Sequence, residues 1–444
     1  MAFSSTVGEP PPRQPYDAPL WLSSHEKNAF KRLIDPEKLS VEGLFNPEVP
    51  VEFHVPPDLY SPWRDSLRVD LGYGYSGLPL DRSSGLDVAL NGEGVARFGF
   101  DLKPSRSMEG NAQAEPAPAL VDEKHNVSFS LPLEKLSGNN KLSMYFDFRA
   151  QDSQNVCLNQ GVSGISGFID PDSGIDLTGF SHYGKFPEMR HFVSLMFPFT
   201  RLADLGETAL VLREKAGKDD IRAMLNLMAR AGGATGYPAY RVEVVFPDNV
   251  LEVADRDLLL IGKYPEHDLI QHWKSAMPVY RDGKQWRARS ATLSEYFQGL
   301  LSNEALNASD DVMRYLGEQA DNSVIIAGFR SPLDSGRDAV VVTATGSRGL
   351  GEFTASLAQP DIASAIHGEV SLIGKAEVAG FKLFPSYYRG DLPAFTAFKL
   401  FLARNVLALF LIFMVAVLLA AWGAKGLLKR HARERISTAS PMSA

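Results

Sequence analysis

The chain has 444 residues, 45% of them hydrophobic, and a formal net charge of −8. That is length for two or three domains with real cores, and the dispersed charge, with no basic stripe, argues against a nucleic-acid binder. Cys157 is the only cysteine, which rules out an internal disulfide framework and a thiolate zinc site.

Residues 1–20, MAFSSTVGEPPPRQPYDAPL, hold neither the apolar core nor the basic start of an export signal. The Pro-rich opening reads as a linker cut mid-chain, so residues 1–40 are expected to be a linker or the remnant of a preceding domain. From 41 to 170 the pattern is strand-like. Leu67, Val69, Leu71, Tyr73 and Tyr75 alternate with polar or small residues, and Leu86, Val88 and Leu90 alternate again. Asn91-Gly92 is a hairpin signal before Val95, Phe98 and Phe100. Val127, Phe129 and Leu131, then Leu142, Met144, Phe146 and Phe148, supply two more strands, and 104–120 is a loop by composition. Such strands predict an antiparallel β-sandwich or jelly roll.

Flat aromatic faces suit the axial C–H bonds of a sugar ring. Tyr60 and Trp63, flanking Ser61-Pro62 in a loop, are candidates for carbohydrate contact, and so is Tyr75. Tyr73 and Tyr75 share the face of the inward leucines, so at least one of them is expected to be buried.

Residues 170–176, DPDSGID, resemble a calcium loop, but glycine falls fifth rather than sixth and the twelfth position is Ser181, so they are expected to form an Asx turn instead. Residues 171–197 are taken as a linker. From 198 to 385 strand and helix alternate: strands at 208–212, 241–246, 258–261, 323–329, 339–343 and 369–373, and an amphipathic helix at 218–231. That order predicts a parallel, doubly wound α/β domain. The turn TGSRGLG at 345–351 follows a strand and precedes a helix but lacks the GxGxxG spacing and comes late in the domain, so it reads as a structural βα turn. Asp219-Asp220 and Asp310-Asp311 fall at helix starts and read as caps. The histidines are scattered, with no HExxH. No catalytic residue, metal site or cofactor is predicted.

Residues 392–403 form a short amphipathic stretch with Phe395 and Phe398 toward a membrane interface. Residues 406–424 then run without a charge, long enough to cross a bilayer, and Leu411, Val415 and Trp422 lie on this span. Lys425, Lys429, Arg430, Arg433 and Arg435 follow. By the positive-inside rule the basic tail 425–444 is cytoplasmic and the domains lie on the far side.

The pieces IDLTG, FPEM and above all FPFTRLADLGET within 173–212 resemble the periplasmic accessory subunit of bacterial cellulose synthase, the cyclic di-GMP-binding family. LDVALNGEGV, NNKLSMYFDF and FRSPLDSGRDAVVVTATG extend the likeness over most of 15–430. The resemblance implies a multidomain α+β chain: a carbohydrate-binding-like jelly-roll sandwich, a flavodoxin-like α/β domain without a flavin, and one C-terminal transmembrane helix. It implies a non-catalytic subunit anchored in the bacterial inner membrane with its bulk in the periplasm. Its span and interfacial helix would pack on the membrane-embedded catalytic subunit, which polymerises glucose from UDP-glucose, and its periplasmic domains would guide the nascent cellulose. The family usually carries two sandwich–α/β pairs; this chain corresponds to the second, and the expectation is that an N-terminal half with the export signal is missing. The alternative is a membrane-anchored α/β enzyme acting on a nucleotide or sugar.

Overall fold

The computed structural model describes residues 12–43, 48–76, 80–100, 124–149, 165–283, 285–301, 306, 309–319, 323–345, 349–374, 378–404 and 406–438. The loop at 104–120, Cys157 and positions 346–348 of the glycine-rich turn lie outside them.

Two antiparallel sheets form the sandwich. One orders Asn28–Ala29, Gly174–Asp176, Ser66–Ser76, Ser166–Ile169 and Ser40–Glu42, with His125–Pro132 also paired to Ser66–Ser76. The other orders Glu48–His54, Asn139–Asp147, Gly85–Leu90 and Glu93–Gly99. Period-2 alternation sends Leu67, Val69, Leu71 and Tyr73 inward against Val49, Val51, Leu86, Val88 and Met144. Asn91 and Gly92 both take positive φ, 53° and 87°, the backbone of the tight hairpin their sequence predicts.

The sandwich reaches beyond 41–170. Leu22, Phe30, Leu33 and Leu39 are buried in its core, while Trp21 is fully buried in a neighbouring cluster with Phe186, Leu195 and Phe197. Trp21 Nε1 donates to the Ala234 carbonyl at 2.8 Å. Residues 12–40 are therefore not a linker but a strap packed on both domains. Residues 171–197 are no bare linker either. They supply the strands Gly174–Asp176 and Ser181–Phe186 and the helix Met189–Leu195.

The α/β domain is built on a seven-stranded sheet ordered Glu243–Val245, Thr208–Leu212, Asp257–Ile261, Asp338–Ala344, Val324–Arg330, Val370–Ile373 and Val378–Phe381. The first four are parallel and the last three antiparallel. The expected parallel sheet thus holds for four strands only. A parallel return needs a crossover of a dozen or more residues, and the short connections 331–337 and 374–377 permit only hairpins. The helix Lys218–Thr235 covers one face, burying Ala223, Leu227 and Ala231 against Leu210, Leu259 and Val342.

A three-stranded antiparallel sheet joins Leu59–Tyr60, Ser181–Phe186 and Tyr387–Gly390. Gly390, at φ 114°, passes so close to the His182 carbonyl that a Cβ there would overlap it.

A second compact unit comprises Ala291–Ala305 and Asp391–Ala444. Its helices are Leu293–Leu301, Ala394–Arg404 and Val406–Thr438. Leu409–His431 is long and apolar enough to cross a membrane, with mean hydropathy 2.1.

Candidate functional site

Alternation along Ser181–Phe186 puts Ser181, Tyr183 and Lys185 on one face of the three-stranded sheet. Ser181 pairs with Tyr60 and Lys185 with Tyr388. The result is a row of half-buried tyrosines. Tyr60 meets Tyr183 edge-on at 5.9 Å between centroids, and Tyr183 stacks on Tyr388 at 5.3 Å. Trp63 follows in the adjoining loop with 74% of its surface exposed. That loop is fixed: Ser61 Oγ accepts from the Trp63 and Arg64 amides, and Arg64 donates to the Thr178 carbonyl at 2.6 Å. Of the three aromatics expected to contact sugar, Tyr60 stands in this row and Trp63 in the loop that follows it. Tyr75 lies elsewhere. Its ring is half-buried and stacks one face on Phe100 at 3.9 Å, packed against the sandwich core. Tyr75 thus lies outside the tyrosine row, beside the buried Tyr73. Sequence reasoning does not reach Tyr183 and Tyr388, although the alternation in SHYGKF is a signal that points to the first of them.

The opposite face of this sheet carries a chain of polar contacts. Ser24 Oγ lies 3.0 Å from His182 Nε2, and His182 Nδ1 lies 3.0 Å from Asp58 Oδ1. Tyr16 donates its hydroxyl to Asp58 Oδ2 and lies flat on the imidazole, 3.5 Å between centroids. Burial, then the Asp58 charge, pushes the Tyr16 hydroxyl far up, so it stays protonated as a donor. The order of groups is that of a Ser–His–Asp hydrolase. Acyl transfer would also need amide donors for an oxyanion. The amides flanking Ser24 are committed, Ser23 N to Asn28 Oδ1 and His25 N to Ser23 Oγ. The relay ties the N-terminal strap to the sheet.

Open α/β sheets bind ligands at the carboxyl ends of their parallel strands. Here that edge is lined with acids. Asp220 accepts from the Gly217 amide at 2.8 Å and from Arg213 at 2.7 Å, capping its own helix as expected. Asp219 reaches across instead, accepting from the Leu350 and Gly351 amides and capping the helix Leu350–Ser356. A carboxylate of this chain thus takes the amides at the start of that helix, the donors that would otherwise face an anion. At the opposite edge, Arg389 binds Asp257 Oδ1 at 2.6 Å and also Asp338 Oδ2, with Tyr387 donating to Asp338. Burial and the neighbouring Asp257 push the Asp338 carboxyl up to about 6. At 170–176 the Asp172 amide donates to Asp170 Oδ1 at 2.8 Å, the Asx turn its sequence predicts.

In the second unit Phe395 and Phe398 are exposed on the helix Ala394–Arg404, with the Lys399 ammonium 4.4 Å from the Phe395 ring centroid. Leu411, Val415 and Trp422 are exposed along Val406–Thr438. An apolar helix bare on all sides is built for a non-aqueous surround.

Comparison with known proteins bears on both domains of the fold. Residues 27–174 match the second CBM domain of cellulose synthase BcsB, and residues 182–342 match the second FD domain of the same protein. The chain belongs to the cellulose synthase BcsB family. It is 33% identical over 400 residues to a cyclic di-GMP-binding protein of Pseudomonas fluorescens (strain SBW25), covering 89% of this chain and 52% of that one. Against the cyclic di-GMP-binding protein of Xanthomonas axonopodis pv. citri (strain 306) the identity is 30% over 440 residues, 98% and 56% of the two chains. "Cellulose synthase 2" of Novacetimonas hansenii matches at 26% over 97% of this chain and 27% of its own length. The chain spans about half the length of the first two relatives. The family boundaries 27–174 and 182–342 include the strap strand Asn28–Ala29 and all but the first residue of the strand Ser181–Phe186, both of which lie outside the domains expected from sequence.

Proposed function

We propose that the chain is a non-catalytic, membrane-anchored subunit of the bacterial cellulose synthase complex. The observation that carries this reading is the family match across both domains of a chain that ends in a bare apolar helix. Within the helix Val406–Thr438, Leu409–His431 is a single span of the inner membrane, with the basic end of the helix cytoplasmic and the domains periplasmic. Leu411, Val415 and Trp422, with Phe395 and Phe398 of the preceding helix, pack on the membrane-embedded glycosyltransferase subunit and the surrounding lipid. The α/β domain is a flavodoxin-like scaffold that has given up its ligand edge to carboxylates. The polymer passes over the aromatic face, where Trp63 and Tyr60 contact the sugar rings of nascent cellulose beside Tyr183 and Tyr388. Cyclic di-GMP regulates the complex as a whole.

Co-purification tests the assignment. Expressed with the multi-span glycosyltransferase subunit and extracted in mild detergent, the chain is expected to elute with it as one complex. Separate elution at every detergent tried contradicts the reading. Trp63→Ala is expected to leave the complex intact and to reduce retardation in affinity electrophoresis through soluble β-glucan; unchanged retardation removes Trp63 from the sugar face.

A further inference from the structure

The helix Leu293–Leu301 takes no part in the sugar face or the span. Its apolar residues Leu293, Tyr296, Phe297, Leu300 and Leu301 recur at i, i+3, i+4, i+7 and i+8, the stripe of an amphipathic helix that buries one face. In the structure the first three of these side chains are bare: Leu293 is 80% exposed, and Tyr296 and Phe297 are each 60% exposed. The helix holds its own start. The Thr292 amide donates to Glu295 Oε2 at 2.8 Å, and the Glu295 amide donates to Thr292 Oγ1 at 3.3 Å, a reciprocal capping box. A segment capped in this way, with its apolar stripe in the open, is complete except for what covers the stripe.

Two observations identify the cover. First, residues Ala291–Ala305 belong to the same compact unit as Asp391–Ala444, which holds the candidate span and the Phe395/Phe398 helix. The segment groups with the membrane-anchoring elements, although a long stretch of sequence separates them. Second, the side chains are those of a bilayer interface. Leucine and phenylalanine suit the acyl boundary, and tyrosine suits the headgroup level with its ring apolar and its hydroxyl wet. Residues 291–301 hold no Lys or Arg and a single acid, Glu295, so attachment here comes from apolar burial and not from attraction to anionic lipid.

We propose that Leu293–Leu301 is a second interfacial helix, lying on the bilayer with Leu293, Tyr296 and Phe297 inserted. With the Phe395/Phe398 helix it gives the membrane unit two surface contacts besides the span. The proposal rests on the reading of Leu409–His431 as a span.

Nitroxide depth measurements test it on the full chain. Replacing the lone cysteine, Cys157→Ser, gives a background for single labels at Phe297→Cys, Gln298→Cys, Ser335→Cys, Phe398→Cys and Leu411→Cys. Each is reconstituted in phosphatidylcholine vesicles, diluted with unlabelled chain, and its collision rates with oxygen and a water-soluble nickel chelate are compared. The expected oxygen-to-nickel ratio at 297 is several-fold above that at 298 and 335 and close to that at 398. It should not change when phosphatidylglycerol is added. A ratio at 297 equal to that at the exposed loop position 335 overturns the proposal. So does shielding of 297 from both reagents, which marks a protein cover, this chain's second copy included. The label at 411 separates the two layers. If 411 is lipid-buried and 297 is aqueous, only the second interfacial helix falls; if 411 is itself aqueous, the span reading falls and the proposal with it.

Discussion

Glu369 is a buried carboxyl held by backbone amides. Its Oε1 accepts from the Leu383 and Phe384 amides at 2.6 and 3.0 Å, fixing the bend after Val378–Phe381. Burial pushes its carboxyl up to about 7 from an ordinary 4.5, and the two amide bonds only partly offset this. The folded chain therefore binds this proton more tightly than the unfolded chain does. The stabilisation is complete below about pH 4.5 and is lost as pH rises through 7. Glu369→Gln keeps an oxygen for both amides and carries no charge. Urea unfolding in detergent across pH 5 to 8 is expected to show wild-type stability falling, by up to about 3 kcal/mol from this group, and a flatter profile for the variant. Equal slopes would contradict this assignment. Arg389 poses the opposite case. Burial disfavours its charge, but Asp257 and Asp338 outweigh that and raise its pKa, so it stays a cation. Arg389→Gln leaves two buried carboxylates facing each other and is expected to cost about 3–5 kcal/mol, read as a lowered urea midpoint. Arg389→Lys should recover part of the loss, because one ammonium cannot reproduce the forked contact.

Secondary elements are legible in the sequence where local pattern and burial coincide. The runs at 208–212, 258–261 and 339–343 are apolar on both faces because helices cover both sides of a parallel sheet, and they appear as Thr208–Leu212, Asp257–Ile261 and Asp338–Ala344. The Asn91-Gly92 turn is equally plain, since few other residues tolerate two successive positive φ angles. Gly92→Val is expected to cost about 1–2 kcal/mol from that backbone alone, seen as a lower thermal midpoint; an unchanged midpoint would mean that the turn relaxes freely. The elements that escape a sequence reading share a cause. Trp21 and Phe30 stand singly in and after a Pro-rich stretch, and the burial of Trp21 depends on partners such as Ala234 far along the chain. The strand Ser181–Phe186 finds its partner at Tyr387–Gly390, and no local period reports that pairing. Tyr73 and Tyr75 look alike in the alternation; Phe100, stacked on Tyr75, decides which ring face is left for a ligand. The change from parallel to antiparallel pairing does leave a trace in the sequence, the short connection at 331–337.

For the whole molecule, the two domains share a strap and a bridging sheet, and the second unit holds the helix long and apolar enough to cross a membrane. The bare helix gives the most direct handle on assembly. Leu411→Arg or Val415→Arg places a charge at the centre of the span, at an insertion cost of about 2.5–3.5 kcal/mol. Either variant is expected to abolish co-assembly with the glycosyltransferase subunit while the sandwich and α/β domains stay folded by circular dichroism. Co-purification at the wild-type level would sever the span from the assembly. The central claim is that this chain supports cellulose synthesis without performing the chemistry. The most direct measurement is incorporation of labelled UDP-glucose into insoluble, cellulase-sensitive glucan by the reconstituted catalytic subunit, with and without the chain. Polymer is expected only when the chain is present, and none from the chain alone. Equal synthesis in its absence, or synthesis by the chain alone, would contradict the claim.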